Sequence, residues 1–337
     1  MKTAVVLGGG GFIGGHLAKR LKSEGYYVRC VDIKSHEYFK NDEICDDFIV
    51  GDLRNLNLVK SSLIVDGNGV DEVYQLAADM GGAGYLFTGE NDANVMHNST
   101  LINLNVLKVC SEFGIEKVLY TSSACVYPEY NQMDENNPSC VEDSVYPAEP
   151  DSEYGWEKLY GERLYLSFRK NFGIDTKIAR LHNIFGPMGT YDGGKEKAPA
   201  AICRKVVTSN EGDTIEVWGD GKQTRSFLYV DECVEGLRRL MKSEVTTPIN
   251  VGSEEMISIN GLAQMAIDIS GKSIKINNLD GDDFIKKYGF KCPLGVKGRN
   301  SDNKLYKSKI GWAVSDPLVK GMKNTYDWIS KQVNTKA

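Results

Sequence analysis

The 337-residue sequence has no apolar run long enough to cross a membrane; stretches such as Ala4 to Leu7 fall far short of the ~20 residues a span needs. It also lacks a basic surplus: 40 Lys and Arg face 46 Asp and Glu, a formal net charge of −6, so nothing marks a surface for gripping nucleic acid. Eight cysteines are scattered with no CxxC pair and no histidine at ligand spacing, which argues against a zinc site and against a disulfide framework. No metal is expected, and the thiols are expected to be reduced. A signal peptide is not expected either, because the first strand pattern begins at residue 3. Together these absences point to a cytoplasmic protein without a membrane or nucleic-acid partner. Internal repeats and low-complexity stretches are missing as well. What remains is an ordinary globular mixture, 41% hydrophobic and 26% charged, long enough for two domains or one large two-lobed fold. Glycine is the one excess, 35 residues, and signals sharp turns or close backbone approaches.

In the first half, short apolar runs alternate with helical patterns. The runs are Thr3 to Leu7, Tyr27 to Val31, Phe48 to Val50, Glu72 to Leu76, Lys117 to Thr121 and Asp175 to Leu181. Between several of them, apolar residues recur at three and four in Phe12 to Ser23, Asn94 to Phe113 and Ser152 to Phe172. Strands separated by helices make βαβ units and a parallel sheet, so the expected fold is a doubly wound α/β (Rossmann) sheet with a smaller C-terminal α/β substrate-binding lobe. Residues 1–185 form the expected nucleotide-binding domain and 186–337 mainly the second lobe, with some elements free to return to the sheet. That second part carries a strand pattern at Thr214 to Trp218 and helical patterns at Ala198 to Thr208, Asp231 to Lys242 and Asn260 to Ile269. The Gly-, Asp- and Lys-rich stretch from Asn278 to Gly295 reads as a surface loop.

The first strand runs into Gly8-Gly9-Gly10-Gly11-Phe12-Ile13-Gly14, where Gly8, Gly11 and Gly14 satisfy GxxGxxG and Phe12 opens a helix. Such a turn aims a helix N-terminus, with its free N–H groups, at a pyrophosphate. The second strand is followed by Asp32, placed to accept hydrogen bonds from a ribose 2′-hydroxyl and to repel a 2′-phosphate, so the expected cofactor is NAD rather than NADP. Asp52 and Leu53 after the third strand would flank the adenine, and Ala77 and Ala78 after the fourth would sit near the nicotinamide ribose.

Tyr154 and Lys158 stand four apart in a helical pattern, hence on one face. A second YxxxK, Tyr191 and Lys195, encloses Asp192-Gly193-Gly194, which breaks a helix. An ammonium beside Tyr154 favours its phenolate, which can take a hydroxyl proton while hydride leaves for NAD. Ser123, at the end of the fifth strand, would hydrogen-bond the same substrate oxygen.

Longer strings add to these motifs: Ala78 to Gly82 (ADMGG), Ser122 to Glu129 (SSACVYPE), Pro147 to Pro150 (PAEP), His182 to Ile184 (HNI), Lys195 to Ala201 (KEKAPAA), Trp218 to Phe227 (WGDGKQTRSF) and Gly298 to Asn303 (GRNSDN). With them the chain resembles the extended short-chain dehydrogenase/reductase family, the nucleotide-sugar epimerases and dehydratases, and within it the 3,5-epimerases of GDP-sugars. The resemblance implies a homodimer that acts on a GDP-sugar and keeps its NAD. It makes Tyr154 and Lys158 the redox pair, Cys125 and Lys197 the acid/base pair, and Asn183, Arg225 and Arg299 the grip on the diphosphate. Gly82, Ser123, Ala124, Glu196, Ala198, Lys205 and Gln223 would line the substrate. The extra residues around Gly281 to Cys292 depart from the family pattern.

Chemistry supports the same reading. A sugar C–H is inert, but a ketone at C4 acidifies the hydrogens on C3 and C5, and inversion then needs a base and an acid on opposite faces. At Cys125 a dehydratase would carry a carboxylate to expel the C6 hydroxyl; a thiol serves poorly for that and well as a base. A 4- or 3,5-epimerase of a related nucleotide sugar, such as a GDP-heptose, stays open. So does a catalytically silent NAD-binding regulator, although Ser123, Tyr154 and Lys158 are all present.

Overall fold

A computed structural model describes residues 1–136 and 140–336. Seven strands form one sheet: β1 (Thr3–Leu7), β2 (Tyr27–Asp32), β3 (Asp47–Val50), β4 (Glu72–Gln75), β5 (Lys117–Ser123), β6 (Asp175–Leu181) and β7 (Ile249–Val251). Their spatial order is β7-β6-β5-β4-β1-β2-β3, every pairing is parallel, and the order reverses between β1 and β4. Runs such as Ala4-Val5-Val6-Leu7 are buried on both faces, as a helix-covered parallel sheet requires. Ligands bind at such a reversal, beyond the carboxyl ends of the strands. At that edge lie the Gly8 loop, Asp32, Ala77 and Ser123.

The helices Phe12–Ser23, Ala198–Thr208 and Val230–Lys242 fall where their apolar periodicity puts them, within a residue. Two parts of the 186–337 segment return to the sheet: β7 pairs with β6, and the Val230–Lys242 helix packs on the sheet through Arg238, which is ion-paired with Glu24 and Glu72. The rest gathers about a separate apolar cluster that includes Ile202, Val206, Leu262, Ala266 and Met322. One expectation fails here. Residues 278–295 are not a plain surface loop: Lys275–Leu279 is a strand paired in parallel with Thr214–Trp218, and Gly281–Tyr288 is a helix. Its composition is polar because most of it faces water, but Phe284 is fully buried, against Trp218, Tyr288 and Phe290. A single aromatic anchor leaves no periodic signal.

The helix Glu153–Phe172 carries Tyr154 and Lys158. Ser152 caps it by accepting from Gly155 N–H at 3.3 Å, and Gly173 ends it in the left-handed conformation. It lies so close to the turn after β5 that a Cβ on Gly155 would stand 2.2 Å from the Cys125 carbonyl oxygen. A buried ion pair fixes its height: Arg180 of β6 donates to both Glu162 oxygens at 2.9 and 2.8 Å, and Ser122 donates to Glu162 Oε1 at 2.6 Å. Removing one partner leaves the other charge buried and alone. Glu162→Ala should therefore cost about 3–5 kcal/mol of stability, read as a fall in the urea midpoint.

Candidate active site

At the first crossover the chain must turn within van der Waals contact of itself. Gly8 has φ +89°, and a Cβ on Gly14 would stand 2.0 Å from the Gly8 carbonyl oxygen. Gly11 is the N-cap of the Phe12–Ser23 helix without a capping side chain, so the first-turn N–H groups stay available. Phe12 and Ile13 are half-buried and pack against the sheet core behind the loop. Asp32 Oδ2 accepts from Gly10 N–H at 3.0 Å, which holds the carboxylate at the lip of the turn. Burial raises its pKa, while backbone hydrogen bonds from Lys34 and Gly10 oppose the rise. This glycine cradle, with a fixed carboxylate beside it, fits a dinucleotide.

The remaining cofactor candidates are differently placed. Leu53 is buried, whereas the Asp52 carboxylate is gripped by Arg54 through contacts of 2.6 to 3.0 Å, which lowers its pKa. Ala77 N–H donates to Gln75 Oε1 at 3.2 Å, and Ala78 follows it, half-buried, at the end of β4.

Tyr154, Ser123, Cys125 and Lys158 come together. The Ser123 hydroxyl accepts from Cys125 N–H at 3.2 Å, and its side chain opposes the rise that burial imposes on the Tyr154 phenol. Ala124, buried, begins the short turn that presents Cys125. Lys158 Nζ donates to Thr121 O at 3.3 Å and stands 5.6 Å from the Tyr154 ring centre. The expected lowering of the phenol is not what the protein alone produces. Burial raises the Tyr154 pKa strongly, and the nearby Cys125 and Glu157 add to the rise. Glu157, which the motif analysis did not single out, is wholly buried beside Lys158 at 3.7 Å and partly cancels its charge.

Lys197 precedes the Ala198–Thr208 helix as its N-cap residue. Its side chain remains reachable from solvent, yet the protein around it lowers its pKa by desolvation, against the pull of Cys125. Glu196 braces this turn through Gly194 N–H at 2.7 Å and Arg204 at 3.1 Å. Gly82 is buried against the carbonyls of Lys195 and Glu196, and half-buried Ala198 begins the helix. Lys205 points elsewhere, donating to Glu216 O at 2.7 Å. Gln223 Oε1 is buried with no partner, its amide nitrogen 3.5 Å from Trp218 O. Tyr191 and Lys195 lie outside any helix.

The three residues expected to grip a diphosphate are engaged within the protein. Asn183, at φ +44°, donates to Ser226 O at 3.0 Å. Arg225 donates to the carbonyls of Thr224 and Val296 at 2.7 and 2.8 Å, and burial next to Arg299 brings its pKa down to about 10. Arg299 reaches the Cys125 thiol itself, Nη1 to Sγ at 3.1 Å, while Asp151 and Gln132 hold its other nitrogens. Neither Asp151 nor Gln132 was legible as a site residue: one reads as the residue before a helix cap, the other as part of a loop.

Because burial raises Tyr154, its phenol should stay protonated in cofactor-free protein up to about pH 10, the ordinary phenol value. A tyrosinate difference titration against Tyr154→Phe checks this; a Tyr154-dependent signal already at pH 8 would contradict it.

Residues 4–252 match the model of the NAD dependent epimerase/dehydratase family. A GDP-mannose 3,5-epimerase of Arabidopsis thaliana is 46% identical over 97% of this chain and 82% of its own length. Among solved structures, UDP-glucose 4-epimerase of Thermotoga maritima with UDP-glucose aligns at a TM-score of 0.82, with 22% identity over 99% of this chain and all of the other. UDP-glucuronic acid 4-epimerase of Bacillus cereus, in complex with UDP-glucuronic acid and NAD, aligns at 0.77, with 26% identity over 99% of this chain and all of the other. A family match of this extent, a relative of this identity and a glycine cradle that fits a dinucleotide agree: the chain belongs to the NAD dependent epimerase/dehydratase family.

Proposed function

We propose that the protein is a redox-neutral isomerase that inverts C5 and C3 of GDP-mannose through a transient 4-ketone, giving GDP-L-gulose and GDP-L-galactose. The observation that carries the reading is that the turn after β5 sets Ser123 and Cys125 against Tyr154, on the helix that also bears Lys158, with similarity to curated GDP-mannose 3,5-epimerases in support.

Gly8, Gly11, Gly14 and the N-terminus of the Phe12–Ser23 helix would hold the NAD pyrophosphate, and Asp32 the adenine ribose. NAD held there would supply an acceptor for the C4 hydride and a donor to restore it. Ser123 orients the C4 hydroxyl, and Tyr154 accepts its proton. Lys158 supplies positive charge beside the buried phenol, 5.6 Å from its ring centre. With C4 as a ketone, the hydrogen on C5, and later that on C3, becomes removable. Cys125 takes a proton from one face and Lys197 delivers one to the other; the desolvation that lowers the Lys197 pKa makes that delivery easier. Arg225, Arg299 and Asn183 are the diphosphate candidates; Arg225 would exchange protein carbonyls for phosphate oxygens, whereas Arg299 has N–H groups beyond those spent on Gln132, Cys125 and Asp151.

A homodimer is supported by large apolar side chains left exposed on two adjacent helices, Leu104 and Phe113 on Asp92–Phe113, and Trp156, Tyr160 and Phe172 on Glu153–Phe172. No helix among the described residues is long and apolar enough to cross a membrane. Eight unbridged cysteines support a reducing, cytoplasmic setting.

In deuterated water with GDP-mannose, NMR should locate deuterium at C5 and C3 of the products. Cys125→Ala should keep substrate binding and reduced-cofactor absorbance but lose that deuterium; incorporation at near-normal rate would leave the thiol without a role. Accumulation of a 4-keto-6-deoxy sugar by the unmodified protein would make it a dehydratase. A panel of nucleotide sugars separates GDP-mannose from GDP-heptose and other relatives. In the same assays Asp32→Ala should weaken NAD binding and narrow the preference over NADP; equal binding of both by the unmodified protein would remove Asp32 from this role.

A further inference from the structure

The Arg299 guanidinium is pinned at two corners and free to aim with the third. Its side chain is 7% exposed, Nη2 meets Asp151 Oδ2 at 2.8 Å, and Nε meets Gln132 Oε1 at 2.6 Å. A planar fork held at two points has no rotation left, so the direction of Nη1 is set. It is set onto Cys125 Sγ at 3.1 Å.

Both holders are themselves locked. Gln132 is fully buried, and its amide nitrogen donates to the carbonyls of Tyr127 and Pro128, each at 3.0 Å, so its oxygen faces the guanidinium. Asp151 immediately precedes Ser152, the cap of the helix bearing Tyr154 and Lys158. The aim of Arg299 is therefore tied to the helix that carries the redox pair. Electrostatics points the same way. The groups that feel Cys125 are Tyr154, Lys197, Arg225, Arg299 and Cys140. Arg299 alone pairs with the Asp151 carboxylate, while Arg225 donates to backbone carbonyls.

We propose that Asp151 and Gln132 are positioning residues: they aim Arg299 at Cys125, and the aimed guanidinium stabilises the thiolate that serves as the base. The inference rests on the reading of Cys125 given above, and it gives Arg299 a duty toward the thiol that holds with or without a bound diphosphate.

Alkylation by iodoacetamide consumes the thiolate, forming a carbon–sulfur bond and releasing iodide, and needs no sugar substrate. The rate at Cys125 is followed by peptide mass spectrometry on the full-length protein at pH 7, with melting temperature as a control. Asp151→Ala should slow alkylation at least fivefold. Simple loss of a negative charge near the thiol would speed it instead, so the direction separates positioning from bare electrostatics. Arg299→Lys keeps the charge but cannot span three acceptors, and it should slow alkylation as much; Asp151→Ala combined with it should add little. An unchanged or faster rate in Asp151→Ala, or a normal rate in Arg299→Lys, overturns the proposal. Should Asp151→Ala fail to fold, Arg299→Lys decides alone. Failure of the epimerase reading would appear separately, as deuterium exchange that survives Cys125→Ala while these alkylation rates still fall.

Discussion

The site depends on how closely one helix lies against one strand end. The Glu153–Phe172 helix approaches the turn after β5 until only hydrogen fits at Gly155, and the Glu162–Arg180 pair, closed by Ser122, holds it there. That contact brings Tyr154 and Lys158, on the helix, within reach of Ser123 and Cys125, on the strand end and its turn. Because interiors are packed to near crystal density, a larger residue at 155 has nowhere to go. A shift of the helix by an ångström would move Tyr154 and Lys158 away from Ser123 and Cys125, and a misplacement of that size in an active site can cost about a hundredfold in rate.

Buried charge in this protein is managed by pairing rather than by exposure. Lys158 has Glu157 beside it, Arg238 spans Glu24 and Glu72, Arg180 has Glu162, and Arg299 has Asp151. Buried pairs of this type add little net stability, but breaking one is costly, and they define a single arrangement. The Glu157–Lys158 pair also has a chemical consequence. It sets a carboxylate beside the ammonium, and burial first, with Cys125 and Glu157 behind it, holds the Tyr154 phenol above its ordinary pKa.

Much of this was visible without coordinates. The parallel-sheet strands announced themselves as short runs of Val, Ile and Leu, and the glycine turn with Asp32 after the next strand is a local pattern tied to a local geometry. The i, i+4 spacing of Tyr154 and Lys158 needs only one helix to be meaningful. The second YxxxK was dismissed on equally local grounds, since Gly193-Gly194 cannot hold a helix. The strand and helix within residues 275–288 were not visible, because their apolar contact is one aromatic residue packed against a distant strand.

The sequence by itself determined the elements whose causes lie within a few residues: the strands, the main helices, the cofactor turn, and the family to which the long strings belong. Only the tertiary structure decided what Arg299 touches, that Asp151 and Gln132 hold it, and that Tyr154 is raised rather than lowered. Those outcomes depend on residues 148 and 167 positions apart in the chain, and on the desolvation that packing them together produces. Periodicity records which face of an element is buried. It carries no record of which polar groups will be buried side by side, and that juxtaposition decides where the charge in this site resides.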